Sequence, residues 1–419
     1  MSDVANVEIN EPKAFSRTDQ SFLGAWWWTV DRAMLSCILI LMLFGVALVA
    51  TASPAVASKI GVSDYHFLKK HIIFLIPSIF LLIGGSLLSP KQVWRASSLI
   101  LFGSIIMMFM VIFLGDEVKG ARRWISIFGF SLQPSEFIKP SFAVVAAWLV
   151  ALHKNVSYRA DIATTGLANS SMIHGYHVAI ALYVFLITLL LMQPDLGMTV
   201  VLTVVAAVQV FLAGLRFRYL AVLLGLGTGG LTAAYLSFHH VRSRIDRFFS
   251  PESGDNYQVE RSLDAVRQGG FAGVGPGQGV EKLNLPDAHA DFIFSVLVEE
   301  MGLLFAFSMM GLFLFILLRG FKRLQDTQDI FSVIAAGGLL SMFGFQSLVH
   351  MGSAVNLLPA KGMTLPFISY GGSSMLSMSL AMGFILALTR QKKRSSIAKS
   401  SLTMRRSKNS SKEVGGGNG

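Results

Sequence analysis

LPDAHADFIFSVLVEEMGLLFAFSMMGLFLFILL, residues 285–318, carries both the architecture and the candidate chemistry of this chain. From Phe292 to Leu318 the stretch is apolar apart from two serines and the pair Glu299 and Glu300. About 20 such residues suffice to cross a bilayer as a helix, so the spacing predicts a span over 292–318. Asp287, His289 and Asp291 stand immediately before it. Ionisable side chains at a membrane surface or inside a span are costly, and they mark a functional site by default.

Working outward, similar apolar runs cover residues 34–52, 71–89, 96–114, 137–153, 177–193, 196–214, 219–238, 330–351 and 365–389. With 292–318 they predict an all-α polytopic membrane protein of ten transmembrane helices. Composition agrees: 53% of residues are hydrophobic and 14% charged, against about 25% charged in soluble domains. The first run starts near Met34 without a cleavage site, so it is expected to stay as a span rather than act as a signal peptide. The single cysteine, Cys37, cannot form an internal disulfide and reads as a packing residue.

Lysine and arginine set the expected orientation. Lys91 and Arg95, Lys154 and Arg159, Arg216 and Arg218, and Arg319, Lys322 and Arg323 fall in alternate loops, on the side of a basic tail that begins at Arg390. The positive-inside rule makes that side cytoplasmic and places both termini there. The net charge of +11 therefore points to anionic lipid and not to nucleic acid. Three segments are expected: a cytoplasmic tail over 1–28 ending in the interfacial triplet Trp26, Trp27 and Trp28, a membrane domain over 29–392, and a disordered basic tail over 393–419.

The opposite face receives the loops richest in chemistry. One, 115–136, holds Lys119, Arg122 and Arg123 before a semi-apolar stretch, 124–132, that reads as a short interfacial helix. Another is the turn from Gln193 to Gly197. The largest, 239–291 between the seventh and eighth spans, holds Arg242, Arg244 and a patterned stretch in which Val259, Leu263 and Val266 share one face of a helix from Tyr257 to Gln268. Glycines at 269, 270, 273, 275, 277 and 279 follow. No strand precedes them and no Gly-Lys-Ser/Thr follows, so a nucleotide loop is rejected. They serve a tight turn or a close approach of backbone to a polar ligand.

Each candidate residue has a plain alternative. Asp291 is either the N-cap of the next helix or a catalytic base at a cavity whose wall carries Ser295 and Glu299, spaced i, i+4, i+8. Asp195, after Pro194, reads first as a cap. Glu299, Glu300 and Glu136 line a cavity or sit in structural pairs. Lys361 either snorkels or serves the small polar stretch from Phe367 to Ser374, which includes Ser369 and suggests close helix packing or a polar cavity. No His, Cys, Asp or Glu cluster has the spacing of a structural metal site.

Taken in order, Lys119-Gly120-Ala121-Arg122-Arg123-Trp124, Gln133-Pro134-Ser135-Glu136, Gln193-Pro194-Asp195-Leu196-Gly197, Tyr257-Gln258 with the glycine run, His289-Ala290-Asp291-Phe292-Ile293-Phe294 with Glu299-Glu300, and Lys361 through Ser374 resemble the SEDS family (shape, elongation, division and sporulation). The resemblance covers nearly all of residues 30–392 and looks nearer to the division members than to the elongation members. It implies a ten-helix peptidoglycan glycosyltransferase of the bacterial inner membrane, at the septum, that polymerises lipid II beside a class B penicillin-binding protein (FtsI-like) and other divisome membrane proteins. It carries the family's essential aspartate onto Asp291 and the family lysine before the last span onto Lys361. No cofactor is implied, although a divalent ion could bridge a pyrophosphate. Lys119, Arg122, Arg242, Arg244 and Lys361, with His289 and Ser369, are the candidates for holding substrate. Two positions depart from the family pattern: Ala290 where a threonine is common, and Arg261 where glutamine is frequent. The alternative from another class is a lipid II flippase that uses Asp195, Glu136, Glu299 and Glu300 as relays.

Overall fold

The computed structural model describes residues 21–118, 121–127, 129–162, 175–237, 242, 246, 257–359 and 362–391. Lys119, Arg244 and Lys361 lie outside the described residues. The chain divides into a small unit, Met1–Asp31 with Arg390–Gly419, and a large one, Arg32–Thr389. In the small unit, helix α1 (Phe22–Thr29) starts on Ser21, whose hydroxyl accepts the Gly24 amide at 3.0 Å. The tryptophan triplet, expected as an interfacial anchor, is part of this helix. The Gln391 amide donates to the Thr29 carbonyl at 3.2 Å, joining the two ends of the chain within this unit.

The large unit is a helical bundle: α2 (Arg32–Ile60), α3 (His66–Leu87), α4 (Pro90–Leu114), α5 (Pro134–Ile162), α6 (Gly175–Met192), α7 (Leu196–Leu212), α8 (Phe217–Ser237), α9 (Tyr257–Gly269), α10 (Ile293–Gln325), α11 (Ile330–Ala354) and α12 (Gly372–Leu388). Eight helices among the described residues are long and apolar enough to cross a membrane. The apolar helices α7 and α12 are shorter, at 17 residues each. All the expected spans are thus helical, and α9 matches the helix expected from Tyr257.

Three expectations need correction. Residues 124–127 and 130–132 are not helical. They belong to a three-stranded antiparallel sheet, β1 (Asp116–Val118), β2 (Ala121–Ile127) and β3 (Phe130–Leu132), in the order β1-β2-β3. Ile125 and Ile127 alternate with Ser126, a pattern of period two, and Gly129 at φ +80° supplies the turn before Ile127 pairs with Phe130. Nor is the span 292–318 one uninterrupted helix. Gly302, at φ 80° and ψ 171°, breaks α10 between a buried segment before it and a longer one after it. The last helix also starts later than expected, at Gly372 rather than 365.

Glycines make the bundle's closest approaches. α12 packs most extensively on α3, where a Cβ on Gly383 would lie 2.7 Å from the Leu82 carbonyl oxygen. Small residues let helix backbones approach, and van der Waals packing then holds them in a lipid environment that gives no hydrophobic drive between helices.

Candidate functional site

The glycine run wraps the break in α10. At the break the amides of Leu303 and Leu304 lose their intrahelical acceptors, and the carbonyls of Glu299 and Glu300 lose their donors. The run supplies both. Val274 and Gly275 donate to the Glu299 and Glu300 carbonyls at 2.9 Å each, while Leu303 donates to Gly270 at 2.9 Å and Leu304 to Phe271 at 3.2 Å. Side chains would not fit: a Cβ on Gly269 would lie 2.0 Å from the Val298 oxygen, and one on Gly273 2.3 Å from the Glu300 oxygen. The close approach expected of these glycines is made, and its target is backbone.

The two glutamates at the break face different partners. Glu299, fully buried, accepts the amides of Glu281 at 2.7 Å and Lys282 at 3.0 Å with its two carboxylate oxygens. It caps the short 3₁₀ turn Glu281–Leu283. Glu300 pairs with the buried ammonium of Lys282, which also donates to the Thr51 carbonyl at 3.2 Å. A second buried pair joins Glu136 to Lys139 at 2.8 Å, one turn apart on α5. Asp195 caps α7, accepting the Met198 amide at 3.3 Å, and takes a further bond from Gln133 at 3.2 Å. These four acids, candidate relays in the sequence, are all engaged in holding structure.

Asp291 lies in the turn just before α10, whose N-cap position is Phe292, so the N-cap position expected at Asp291 falls one residue later. A tight turn presents it: the amides of Ala290 and Asp291 both donate to the Asp287 carbonyl, at 2.9 and 3.0 Å, and Asp287 adopts φ 51°. Asp291 is half-buried, whereas the residues after it are fully buried. A carboxylate at the rim of a packed body can meet both solvent and a ligand. It does not share a helix face with Ser295 and Glu299. Ser295 bonds to Ser262 of α9 at 2.6 Å inside the core.

The segment before α12 is tied to this turn. Ser369 donates to the Ala290 carbonyl at 2.7 Å, and the Tyr370 amide donates to the His289 carbonyl at 2.9 Å. His289 is buried between Phe67 and Tyr370, with ring centroids 4.0 and 5.1 Å away. Gly362, at φ +60°, brings its backbone close enough that a Cβ there would lie 3.4 Å from Asp291 Oδ2. Of the residues selected from sequence, the structure therefore gathers Asp291, His289 and Ser369. His289 and Ser369 act as its packing and backbone supports.

The cations are distributed otherwise. Arg122 is exposed on β2. Its neighbour Arg123, on the opposite face of the strand, donates to the Gln193 carbonyl at 3.0 Å and to the Pro194 carbonyl, and lies 4.0 Å from Asp195. Arg242 pairs with Asp246 at 3.6 Å. Arg123, named from sequence only with its neighbouring cations, is engaged with the α6–α7 turn, and Lys139 and Lys282 have no role assigned from sequence. The i,i+3 spacing of Glu136 and Lys139 is a legible helical signal. The Lys282 pairing spans separate elements and has no local sign.

A family model described as "Cell cycle protein", for FtsW, RodA and SpoVE, matches residues 31–394. The chain is 41% identical over 384 residues to the probable peptidoglycan glycosyltransferase FtsW of Caulobacter vibrioides, covering 91% of this chain and 95% of that protein. It is 34% identical to the probable peptidoglycan glycosyltransferase FtsW of Coxiella burnetii over 372 residues, 86% of this chain and 96% of the relative. Among solved structures it is similar to a chain of a peptidoglycan synthase complex that coordinates polymerization and crosslinking, with a TM-score of 0.68 at 24% identity, covering 87% of this chain and 98% of that one. It is similar also to the rod shape determining protein RodA of Thermus thermophilus, with a TM-score of 0.62 at 23% identity, covering 87% and 97%. A family match across most of the chain, joined to the same helical fold, means that this protein is a member of the SEDS family of FtsW, RodA and SpoVE.

Proposed function

We propose that this chain is a peptidoglycan glycosyltransferase of the FtsW type, polymerising lipid II into β-1,4 glycan at the division septum. The observation that carries the proposal is the 41% identity with an FtsW over 91% of the chain. Asp291, partly exposed in the turn before α10, supplies a suitable general base. The 4-hydroxyl of one GlcNAc attacks the anomeric carbon of the other substrate. Its proton passes to the Asp291 carboxylate as the C–O bond forms. The bond from the anomeric carbon to the phosphate oxygen breaks, and the lipid pyrophosphate leaves with the electron pair. Inversion of an α-linked donor gives the β-linked product. The departing charge needs cations, and Lys119, Arg122, Arg242, Arg244 and Lys361 are the nominated set.

In this reading the chain crosses the inner membrane ten times, α7 and α12 included, with both termini in the cytoplasm, and works beside a class B penicillin-binding protein. A flippase would need its intramembrane acids available to change partners. The pairing of Glu136, Glu300, Glu299 and Asp195 with buried groups favours the polymerase.

The test is glycan synthesis from lipid II in detergent by the full chain with its partner. Wild type is expected to give chains and Asp291→Ala almost none. Full product from Asp291→Ala would remove Asp291 as the base. Failure of wild type under permissive conditions would sink the polymerase assignment.

A further inference from the structure

Residues 362–370 form a strap that runs from Gly362, beside Asp291, to Ser369 and Tyr370, which hold the backbone of His289 and Ala290. The far side of the strap is fixed by two side chains of α11 set one turn apart. Gln346 Nε2 donates to the Thr364 carbonyl at 3.0 Å, and His350 Nδ1 lies 2.6 Å from the Met363 carbonyl. Positions i and i+4 share a helix face, so two successive carbonyls of the strap are gripped from one helix. A carbonyl only accepts, so His350 must carry its proton on Nδ1.

The orientation of Gln346 is set by charge. Its amide oxygen accepts from the buried Lys139 ammonium at 2.9 Å. An ammonium can only donate, so the amide nitrogen must face Thr364. Lys139 is itself held by Glu136 at 2.8 Å. All four side chains, Glu136, Lys139, Gln346 and His350, are buried, where an unmet polar group costs most. The Thr364 hydroxyl bonds onward to Ser374 at 2.6 Å. Within the strap, Phe367 sits at φ +67°, a conformation that a bulky side chain keeps only where its surroundings over-determine it.

We propose that Gln346 and His350 are positioning residues: a two-point clamp, oriented by the Lys139 charge, that sets the strap and through it the placement of Asp291. The assignment rests on the reading of Asp291 as the base. Misplacing a reacting group by about 1 Å can cost on the order of 100-fold in rate. Loss of either grip should therefore lower kcat by about 10–100-fold, with KM little changed.

The test uses full-length protein with its penicillin-binding partner and lipid II. It compares Gln346→Met, which keeps volume and loses the side-chain hydrogen bonds, His350→Phe, which keeps an aromatic ring and loses the donor, and His350→Asn, whose amide can donate from near the Nδ1 position. The expected result is a fall in kcat for the first two and recovery in His350→Asn. Amide hydrogen exchange across 362–370 should quicken in the first two variants and not in the third. Wild-type kcat in both Gln346→Met and His350→Phe would overturn the proposal. So would a purely KM effect, or wild-type exchange in the strap. Exchange needs no turnover: if wild type made no glycan, the polymerase reading would fall while exchange still judged the clamp.

Discussion

Replacing Lys282 by methionine would strand the Glu300 carboxylate in the core. The Lys282 side chain is 6% exposed and that of Glu300 0%, so solvent screening, which makes surface pairs nearly worthless, is absent. Among the described residues the second oxygen of Glu300 has no hydrogen-bond partner, so nothing nearby takes over from the ammonium. Removing one member of such a pair costs about 3–5 kcal/mol, because the remaining charge is left buried and uncompensated. Glu300→Gln should be milder, at about 1–2 kcal/mol. Its amide oxygen can still accept from the ammonium, which also keeps the Thr51 carbonyl. The double variant Lys282→Met with Glu300→Gln removes the stranded charge. It should therefore cost less than Lys282→Met alone, with a coupling of about 2–3 kcal/mol. Equilibrium unfolding of the detergent-solubilised protein, read by a denaturant series on all four forms, measures each quantity. Strict additivity of the two single changes, or a Lys282→Met cost below about 1 kcal/mol, would refute the reasoning that this pair is buried and mutually dependent.

Two further outcomes follow. Gly273→Ala should destabilise by more than about 3 kcal/mol, since Gly273 holds φ +79° and a Cβ would lie 2.3 Å from the Glu300 carbonyl oxygen; near-native unfolding of this variant would show that the glycine run is not bound to the α10 break. On topology, a Cys37→Ala background carrying Gln278→Cys should react with a membrane-impermeant maleimide from outside intact spheroplasts, because the loop holding Gln278 is assigned to the outer face. Reaction only after lysis would invert the orientation.

The helices were legible because their signal is local. A run of apolar residues long enough to span hydrocarbon must close its hydrogen bonds within itself, and each expected span proved helical. The amphipathic helix at Tyr257 was legible for a related reason: three apolar residues recur at helical spacing, although the residues it buries are the small Ser262, Ala265 and Gly269. The strands at 121–132 were misread because their alternation is short and lies beside cations that also suit an interfacial helix. The break at Gly302 was hidden because one glycine within an apolar run is compatible with a continuous helix. What makes it a break is the distant glycine loop, which satisfies the freed amides and carbonyls.

The same division holds at the site. Sequence alone determined that the chain is a bundle of apolar helices, and that Asp291 stands where a span meets a polar loop. Only the tertiary structure decided which acids are spent on holding buried groups together. Glu299, Glu300 and Glu136 read alike as intramembrane carboxylates, yet each is held by groups from the fold: backbone amides, Lys282 and Lys139. Asp291 reads as a helix cap, yet the N-cap position of α10 falls on Phe292. A buried charge is defined by its partner. For Glu299 and Glu300 that partner lies 17 and 18 positions away along the chain, and the clamp on the strap reaches from Lys139 to Gln346 across 207. Such pairings leave no trace in local periodicity. They exist only once packing has brought the elements together.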